Sequence, residues 1–287
     1  MEPRAKECKL ALCQTLVQQD KGANLKQARE MIAAAAAQGA QLVVLPEMFS
    51  CPYQPALFAL YAERFPQGET FAMLAQTAQE HALTLVGGSV PEQDGALVYN
   101  TTVVYGPTGQ LLGQYRKMHL FDVNVPGGPK VQESSTLTAG EKVVVVPTDF
   151  GPLGLAICYD LRFPELFRLL MMQGARIIVV PAAFTKVTGQ AHWDLLIRTR
   201  AVDNQVFMAV VSPARDPQAS YVTYGHSMVA DPWGTVVAQA GAGEELLLAT
   251  CNLEQVEKVR RELPLGQHRR TDVYTLSSMQ AKEKQNH

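Results

Sequence analysis

The chain has 287 residues, 47 % hydrophobic and 18 % charged, with a formal net charge of −2. That length accommodates one large α/β domain or two small ones, and the composition excludes a disordered chain. The near-neutral charge, without any Lys/Arg block, argues against nucleic acid or an anionic membrane as partner, and no apolar run approaches the ~18 residues of a membrane span.

The five cysteines, Cys8, Cys13, Cys51, Cys158 and Cys251, are odd in number and include no C-x-x-C pair. This predicts free thiols in a reducing cytoplasmic setting, with neither a disulfide framework nor a zinc ribbon. The six histidines show no ligand spacing, so no metal is expected, and no cofactor either. Met1 to Cys8 lacks the apolar region of a secretory signal, so none is expected, and the sequon Asn100-Thr101-Thr102 is read as carrying no glycan.

In chain order, Lys9 to Thr15 reads as a strand and Asn24 to Gln38 as a helix stopped by Gly39. Leu42 to Leu45 is a short buried strand closed by Pro46-Glu47, Gly68 to His81 a helix, and Leu83 to Gly88 another strand. Val98 to Tyr105 and Leu111 to Arg116 form a hairpin across Gly106-Pro107-Thr108-Gly109-Gln110. Leu120 to Glu141 reads as a long loop, a kind that is usually functional. Val143 to Pro147 and Leu153 to Ile157 are strands, Pro164 to Gln173 a helix, and Ile177 to Pro181 a strand. A helix over Gln190 to Asp203 precedes strands at Val206 to Val211, Ser227 to Ala230, Thr235 to Ala238 and Leu246 to Cys251, with a last helix over Leu253 to Leu263. The unit ending at Leu45-Pro46 recurs at Val180-Pro181, which suggests two α/β layers of similar build without a linker between them.

In open α/β sheets, ligands sit beyond the carboxyl ends of strands. Three predicted strand ends carry reactive groups: Glu47, Lys117 and Cys158. Each has a bland alternative, a solvated charge for the first two and a small buried hydrophobe for the thiol. Cys158 also sits where a helix begins, and helix-start amides lower a thiol's pKa. Together the three groups suit acyl transfer. The thiol attacks an acyl carbon, the carboxylate moves the proton, and the ammonium stabilises the oxyanion with the Tyr159 N–H.

Leu45-Pro46-Glu47, Tyr115-Arg116-Lys117 and Cys158-Tyr159-Asp160-Leu161-Arg162-Phe163-Pro164-Glu165 resemble the three signature segments of the nitrilase superfamily of carbon–nitrogen hydrolases. The resemblance runs from about Lys9 to Tyr274. It implies an α/β fold, a four-layer α-β-β-α sandwich, as one carbon–nitrogen hydrolase domain over residues 1–287. It also implies a homodimer or higher homo-oligomer, using a helix near Phe163 to Gln173 and the C-terminal segment of about 264–287. Glu47 is then the general base, Lys117 the oxyanion stabiliser and Cys158 the nucleophile, and Gln132-Glu133-Ser134 matches the position of a second glutamate, Glu133. All four groups being present argues against an inactive scaffold, and Cys158-Tyr159-Asp160 differs from the Cys-Trp-Glu segment of many nitrile hydrolases.

Lys117-Met118-His119-Leu120-Phe121-Asp122, Gly189-Gln190-Ala191-His192-Trp193 and Ser212-Pro213-Ala214-Arg215-Asp216 resemble the ω-amidase branch. That branch implies a small-molecule amide substrate, a dicarboxylic monoamide such as α-ketoglutaramate or α-ketosuccinamate, with Phe184 and Thr188 lining the acyl pocket. Deaminated-glutathione amidases and N-carbamoyl amino acid amidohydrolases of the same superfamily are the alternative. A free carboxylate on the substrate calls for a cationic clamp, and Arg162, four residues past the nucleophile, is placed for bidentate contacts. Its alternative is a structural ion pair with Asp160 or Glu165. His119 and Tyr159 are further candidate walls. The stretch Ser50 to Phe58 departs most from the branch; it is expected to be an active-site loop that bears on substrate preference, with Tyr53 in reach of the substrate.

Overall fold

The computed structural model describes residues 5–279. Its first half runs β1 (Glu7–Gln14), α1 (Lys21–Ala37), β2 (Leu42–Val44), α2 (Pro55–Tyr61), α3 (Glu69–Glu80), β3 (Thr84–Val86), β4 (Val90–Asp94), β5 (Leu97–Tyr105) and β6 (Leu111–Arg116). A small hairpin follows, β7 (Asp122–Asn124) and β8 (Lys130–Gln132). The second half is β9 (Val145–Val146), β10 (Leu153–Leu155), α4 (Pro164–Met172), β11 (Ile177–Pro181), α5 (Lys186–Asn204), β12 (Phe207–Val211), β13 (Met228–Ala230) and β14 (Val236–Gln239). The chain closes with β15 (Glu245–Asn252) and α6 (Glu254–Glu262).

Two sheets result. The first is ordered β15-β1-β2-β3-β5-β4 with β6 on β5, the second β14-β13-β12-β11-β10-β9. At the centre of each, three strands run parallel, β1-β2-β3 and β10-β11-β12. The recurring strand-Pro unit therefore reflects two halves wired alike.

Side-chain alternation explains how the layers stack. Cys8, Leu10 and Leu12 of β1, with Leu42 and Val44 of β2, join a core shared with the second sheet. The intervening Ala11, Cys13 and Val43 meet Leu25, Ala28 and Ile32 of α1 and Phe71 and Leu74 of α3. Because strand side chains alternate in direction, one continuous apolar run buries both faces of the sheet. Each fully buried Leu, Val or Phe contributes about 1.5–3 kcal/mol. On the far side, Leu166, Phe167 and Leu170 of α4 and Trp193 and Ile197 of α5 cover the second sheet. The architecture is the expected α-β-β-α sandwich.

Several local features differ from the sequence reading. Helix α1 starts earlier, at Lys21, because the Asp20 carboxylate accepts from Ala23 N at 3.1 Å and caps it. Residues 120–141 are no bare loop, since the β7–β8 hairpin turns through Gly127 at φ 68°. The Ser50 to Phe58 stretch contains the start of α2. Among the described residues, no helix is long and apolar enough to cross a membrane, no cluster of residues could hold a metal ion, and the five cysteines are free. Of the C-terminal segment expected at a partner, residues from 280 onward lie outside the described residues.

Candidate active site

Glu47 follows β2 through Leu45-Pro46. The turn at Gly88-Ser89 fixes its backbone: Ser89 N donates to Pro46 O (3.1 Å) and Met48 N to Ser89 Oγ (3.1 Å). Gly88 has φ 56°, and a Cβ there would overlap Pro46 O.

Lys117 follows β6. Its N–H donates to Asn100 O (2.8 Å), and its own carbonyl accepts from Gly140 N (2.8 Å). The wholly buried ammonium donates to Glu47 Oε1 at 3.0 Å and to Glu133 Oε1 at 2.9 Å. Glu133, at the start of a single 3₁₀ turn, also accepts from Tyr53 OH (2.7 Å) and Phe121 N (2.6 Å). Asn100 Nδ2 donates to Glu47 Oε1 (2.9 Å), whereas Glu47 Oε2 is buried with no hydrogen-bond partner among the described residues.

Cys158 arrives from the other sheet, beyond β10, at φ 47°, and opens the 3₁₀ turn Cys158–Arg162. Its Sγ accepts from Ala183 N at 3.4 Å, just past β11. Asp160, fully buried, shapes this turn and joins it to the lysine segment. It accepts from Ile157 N (2.9 Å) on one side, and from Tyr115 OH (2.6 Å), His119 N (3.0 Å) and His119 Nδ1 (2.7 Å) on the other. Asp160→Asn would turn one acceptor oxygen into a donor facing donors. The expected result is a loss of about 2–3 kcal/mol, read as a lower Tm, with a parallel fall in kcat. Wild-type values for both would refute the brace.

The electrostatics follow from burial and the shared ammonium. Burial pushes the Glu47 carboxyl above its ordinary range; Lys117 pulls it down, but the Glu133 charge pushes it up again. Burial works against the Lys117 ammonium, yet Glu133, Glu47 and Cys158 more than offset it, and the group is held above its usual value. The Cys158 thiol is pushed well up, first by burial and then by the Glu47 charge, which outweighs Lys117. This corrects the sequence expectation of a thiol lowered by helix-start amides. A 3₁₀ turn in a dry, carboxylate-bearing site does not overcome those two effects.

Arg162, half-buried, lies beside this cluster. Its Cζ is 5.0 Å from the Phe184 ring centroid and 6.0 Å from that of Tyr159, and Nη1 is 3.3 Å from His192 Nδ1. Among the described residues it makes no ion pair, and the Asp160 alternative is ruled out because other donors occupy that carboxylate. Phe184 packs edge-on against Trp193 (5.3 Å), and Thr188 Oγ1 lies 3.0 Å from Thr185 Oγ1 in the first turn of α5. The His119 ring stacks on Phe163 at 3.7 Å, and Tyr159 lies between Phe121 (5.0 Å) and Phe163 (5.4 Å). Tyr53, expected near the substrate, spends its hydroxyl on Glu133.

Three residues escaped the sequence reading. Asn100 was visible only as a sequon, yet it is fully buried against Glu47. Asp160 looked like a partner for Arg162. Tyr221, in a stretch without periodicity, stacks on Tyr53 (4.4 Å) and donates to Ala183 O (2.7 Å), in the residue whose N–H meets the thiol. Between the Cys51 to Gln54 stretch and the Pro213 to Thr223 segment lies a cavity of about 60 Å³ that reaches Glu47.

A sandwich of two sheets with thiol, carboxylates and ammonium at their seam holds the groups that nucleophilic acyl transfer needs. Comparison agrees. Residues 9–261 match the carbon-nitrogen hydrolase family model, and the chain belongs to that family, within the nitrilase superfamily. Omega-amidase NIT2 of Danio rerio is 46 % identical over 272 residues, 95 % of this chain and 98 % of that protein. The Homo sapiens omega-amidase NIT2 is 45 % identical over 268 residues, 93 % and 97 % of the two chains. Nit3 of Saccharomyces cerevisiae, a member of branch 10 of the nitrilase superfamily, superposes with a TM-score of 0.86 at 41 % identity, covering 93 % of this chain and 98 % of that one. An amidase mutant from Nesterenkonia sp., carrying the acetamide moiety of fluoroacetamide on its active-site cysteine, gives 0.76 at 26 % identity over 95 % and 97 %. The chain is thus an amidase-type hydrolase acting on carbon–nitrogen bonds in linear amides.

Proposed function

We propose that this enzyme is an ω-amidase, hydrolysing the terminal amide of small dicarboxylic monoamides such as α-ketoglutaramate and α-ketosuccinamate. The observation that carries the reading is Arg162, a half-buried guanidinium without a carboxylate partner among the described residues, next to the thiol's turn. A distal substrate carboxylate supplies the missing charge. The named omega-amidase relatives support the same substrate class.

The chemistry runs through a thioester. As Sγ attacks the amide carbon, Glu47 takes the thiol proton. The Lys117 ammonium and the Tyr159 N–H hold the oxyanion, and Glu133 keeps Lys117 in place. When the C–N bond breaks, Glu47 returns its proton to the leaving nitrogen, which departs as ammonia. Water then attacks the thioester with Glu47 again as base, releasing the acid and restoring the thiol. Burial raises the Glu47 pKa above the ordinary carboxylate range, which makes the carboxylate a stronger base towards the thiol and narrows the gap to the groups it exchanges protons with.

The test is ammonia release across a panel of monoamides. The kcat/KM for α-ketoglutaramate is expected to exceed that for deaminated glutathione and N-carbamoyl amino acids by about tenfold or more. A higher value on deaminated glutathione would overturn the substrate assignment in favour of that sibling activity.

We also infer a homodimer through α4 and the segment after α6. Exposed Met172, Leu263, Val273 and Tyr274 support that surface. The free cysteines support a reducing, cytoplasmic setting.

A further inference from the structure

We propose that His192 is a positioning residue that holds Arg162 in the orientation needed to take a substrate carboxylate, and so sets the enzyme's preference for acidic over neutral amides. The proposal rests on the carboxylate-clamp reading of Arg162 given above.

The geometry begins with what Arg162 lacks. Its flat faces lie near the rings of Phe184 and Tyr159, which restrict its plane but not its rotation within that plane. No ion pair among the described residues supplies the missing constraint. Among the described residues, the one side-chain polar contact of its guanidinium is His192 Nδ1, 3.3 Å from Nη1. A guanidinium has only donors, so the imidazole accepts through Nδ1 and carries its proton on Nε2.

The His192 side chain is exposed, but the backbone that carries it is well held. His192 lies one turn beyond Thr188 on α5, whose start is capped by the Thr185 hydroxyl. The next residue, Trp193, is buried, donates from Nε1 to His226 O at 2.6 Å and packs on Phe184. The helix therefore cannot rotate without breaking the Trp193 anchor, and the imidazole is presented to Arg162 from a fixed backbone.

The choice of residue type matters chemically. An Asp or Glu here would orient the guanidinium equally well, but it would neutralise the charge and compete with the substrate for the same donors. A neutral nitrogen acceptor orients without neutralising. It also engages only one of the guanidinium nitrogens, so the other donors stay available for a bidentate carboxylate.

The test compares α-ketoglutaramate with its methyl ester, which keeps the amide and removes the distal charge, in His192→Phe, His192→Asn and Arg162→Leu. The wild-type preference is the ratio of kcat/KM on the two compounds. His192→Phe, a ring without an acceptor, is expected to lower that ratio about five- to tenfold, with the loss falling on KM for the acid and not on kcat. His192→Asn, whose side-chain oxygen falls near the Nδ1 position, is expected to restore the wild-type ratio. A His192→Phe variant that keeps the wild-type ratio, or loses equally on both compounds, overturns the proposal, as does an Asn variant that behaves like Phe. Arg162→Leu separates the two readings. If it collapses the preference while His192→Phe does not, only the role of His192 fails. If it leaves the preference intact, the clamp itself fails.

Discussion

Turnover is expected to vanish in Cys158→Ala, by about 10⁴-fold or more, while the folded structure and Tm stay near those of the wild type. The sulfur accepts a long hydrogen bond from Ala183 N and meets the Glu47 side chain, and no strand or helix depends on either contact. The turn that presents it is held by Asp160, which accepts from Ile157 N and does not touch Sγ. Cys158 has φ 47°, but cysteine and alanine carry the same Cβ, so the substitution adds no backbone strain. The remaining cost is a small buried void, of order 1 kcal/mol. Ammonia release and thermal melting check this together. An unfolded variant would mean that the thiol is a packing residue; persistent turnover would mean that the nucleophile lies elsewhere.

Glu47→Gln should slow thioester formation by about 10²–10⁴-fold and leave substrate binding in place. The amide matches the carboxylate in shape, can still accept from Asn100 and Lys117, and leaves the ammonium paired with Glu133. The pH dependence gives a second readout. Burial raises the Glu47 pKa, and the base form is lost as pH falls through that raised value. The acid limb of kcat/KM should therefore lie above the ordinary glutamate value of about 4.3, and it should disappear in the variant. Lys117, held above its usual value, stays charged on the alkaline side of that range. Iodoacetamide supplies an independent check. The Cys51 thiol is pushed up by burial to about 12, whereas Cys158 has the Glu47 carboxylate beside it. Cys158 should be alkylated faster than Cys51 in the wild type and no faster in Glu47→Gln. Equal rates in the wild type would remove the case for a working base.

Periodicity located most of the architecture, because a strand buried on both faces leaves a continuous apolar run, as at Leu42 to Leu45 or Ile177 to Pro181. It missed β4 (Val90–Asp94), an edge strand that ends in the polar run Glu92-Gln93-Asp94, and the β7–β8 hairpin, whose strands are three residues long with only Val123 and Val131 half-buried. The placement of Glu47, Lys117 and Cys158 was legible from strand ends alone, and the structure brings the first two to 3.0 Å. Glu133 was legible only through resemblance: it lies in a short 3₁₀ turn, and nothing in its local spacing points to Lys117. Asn100 and Asp160 could not be read, because each acts on a residue far away in the chain. Asn100 reaches back to Glu47, and Asp160 reaches back to Tyr115 and His119. One-dimensional patterns report which way a side chain points, not what meets it there. The direction of the thiol's titration was misread for the same reason, since burial and the Glu47 charge both come from distant segments.

The first and last strands of the sandwich are partners: β1 pairs antiparallel with β15 along its whole length, from Glu7 opposite Asn252 to Gln14 opposite Glu245. A ribosome therefore delivers β1 long before its neighbour exists. Until β15 emerges, one edge of β1 is open, and Cys8, which ends up opposite Cys251, has no cover on that side. Closing so long a loop is slow, and an open edge strand in the interval invites pairing with other chains. The nascent protein should therefore depend on chaperone occupancy more than its finished stability would suggest. A new chain start placed at an exposed loop, with the native ends linked, should shorten that exposed interval.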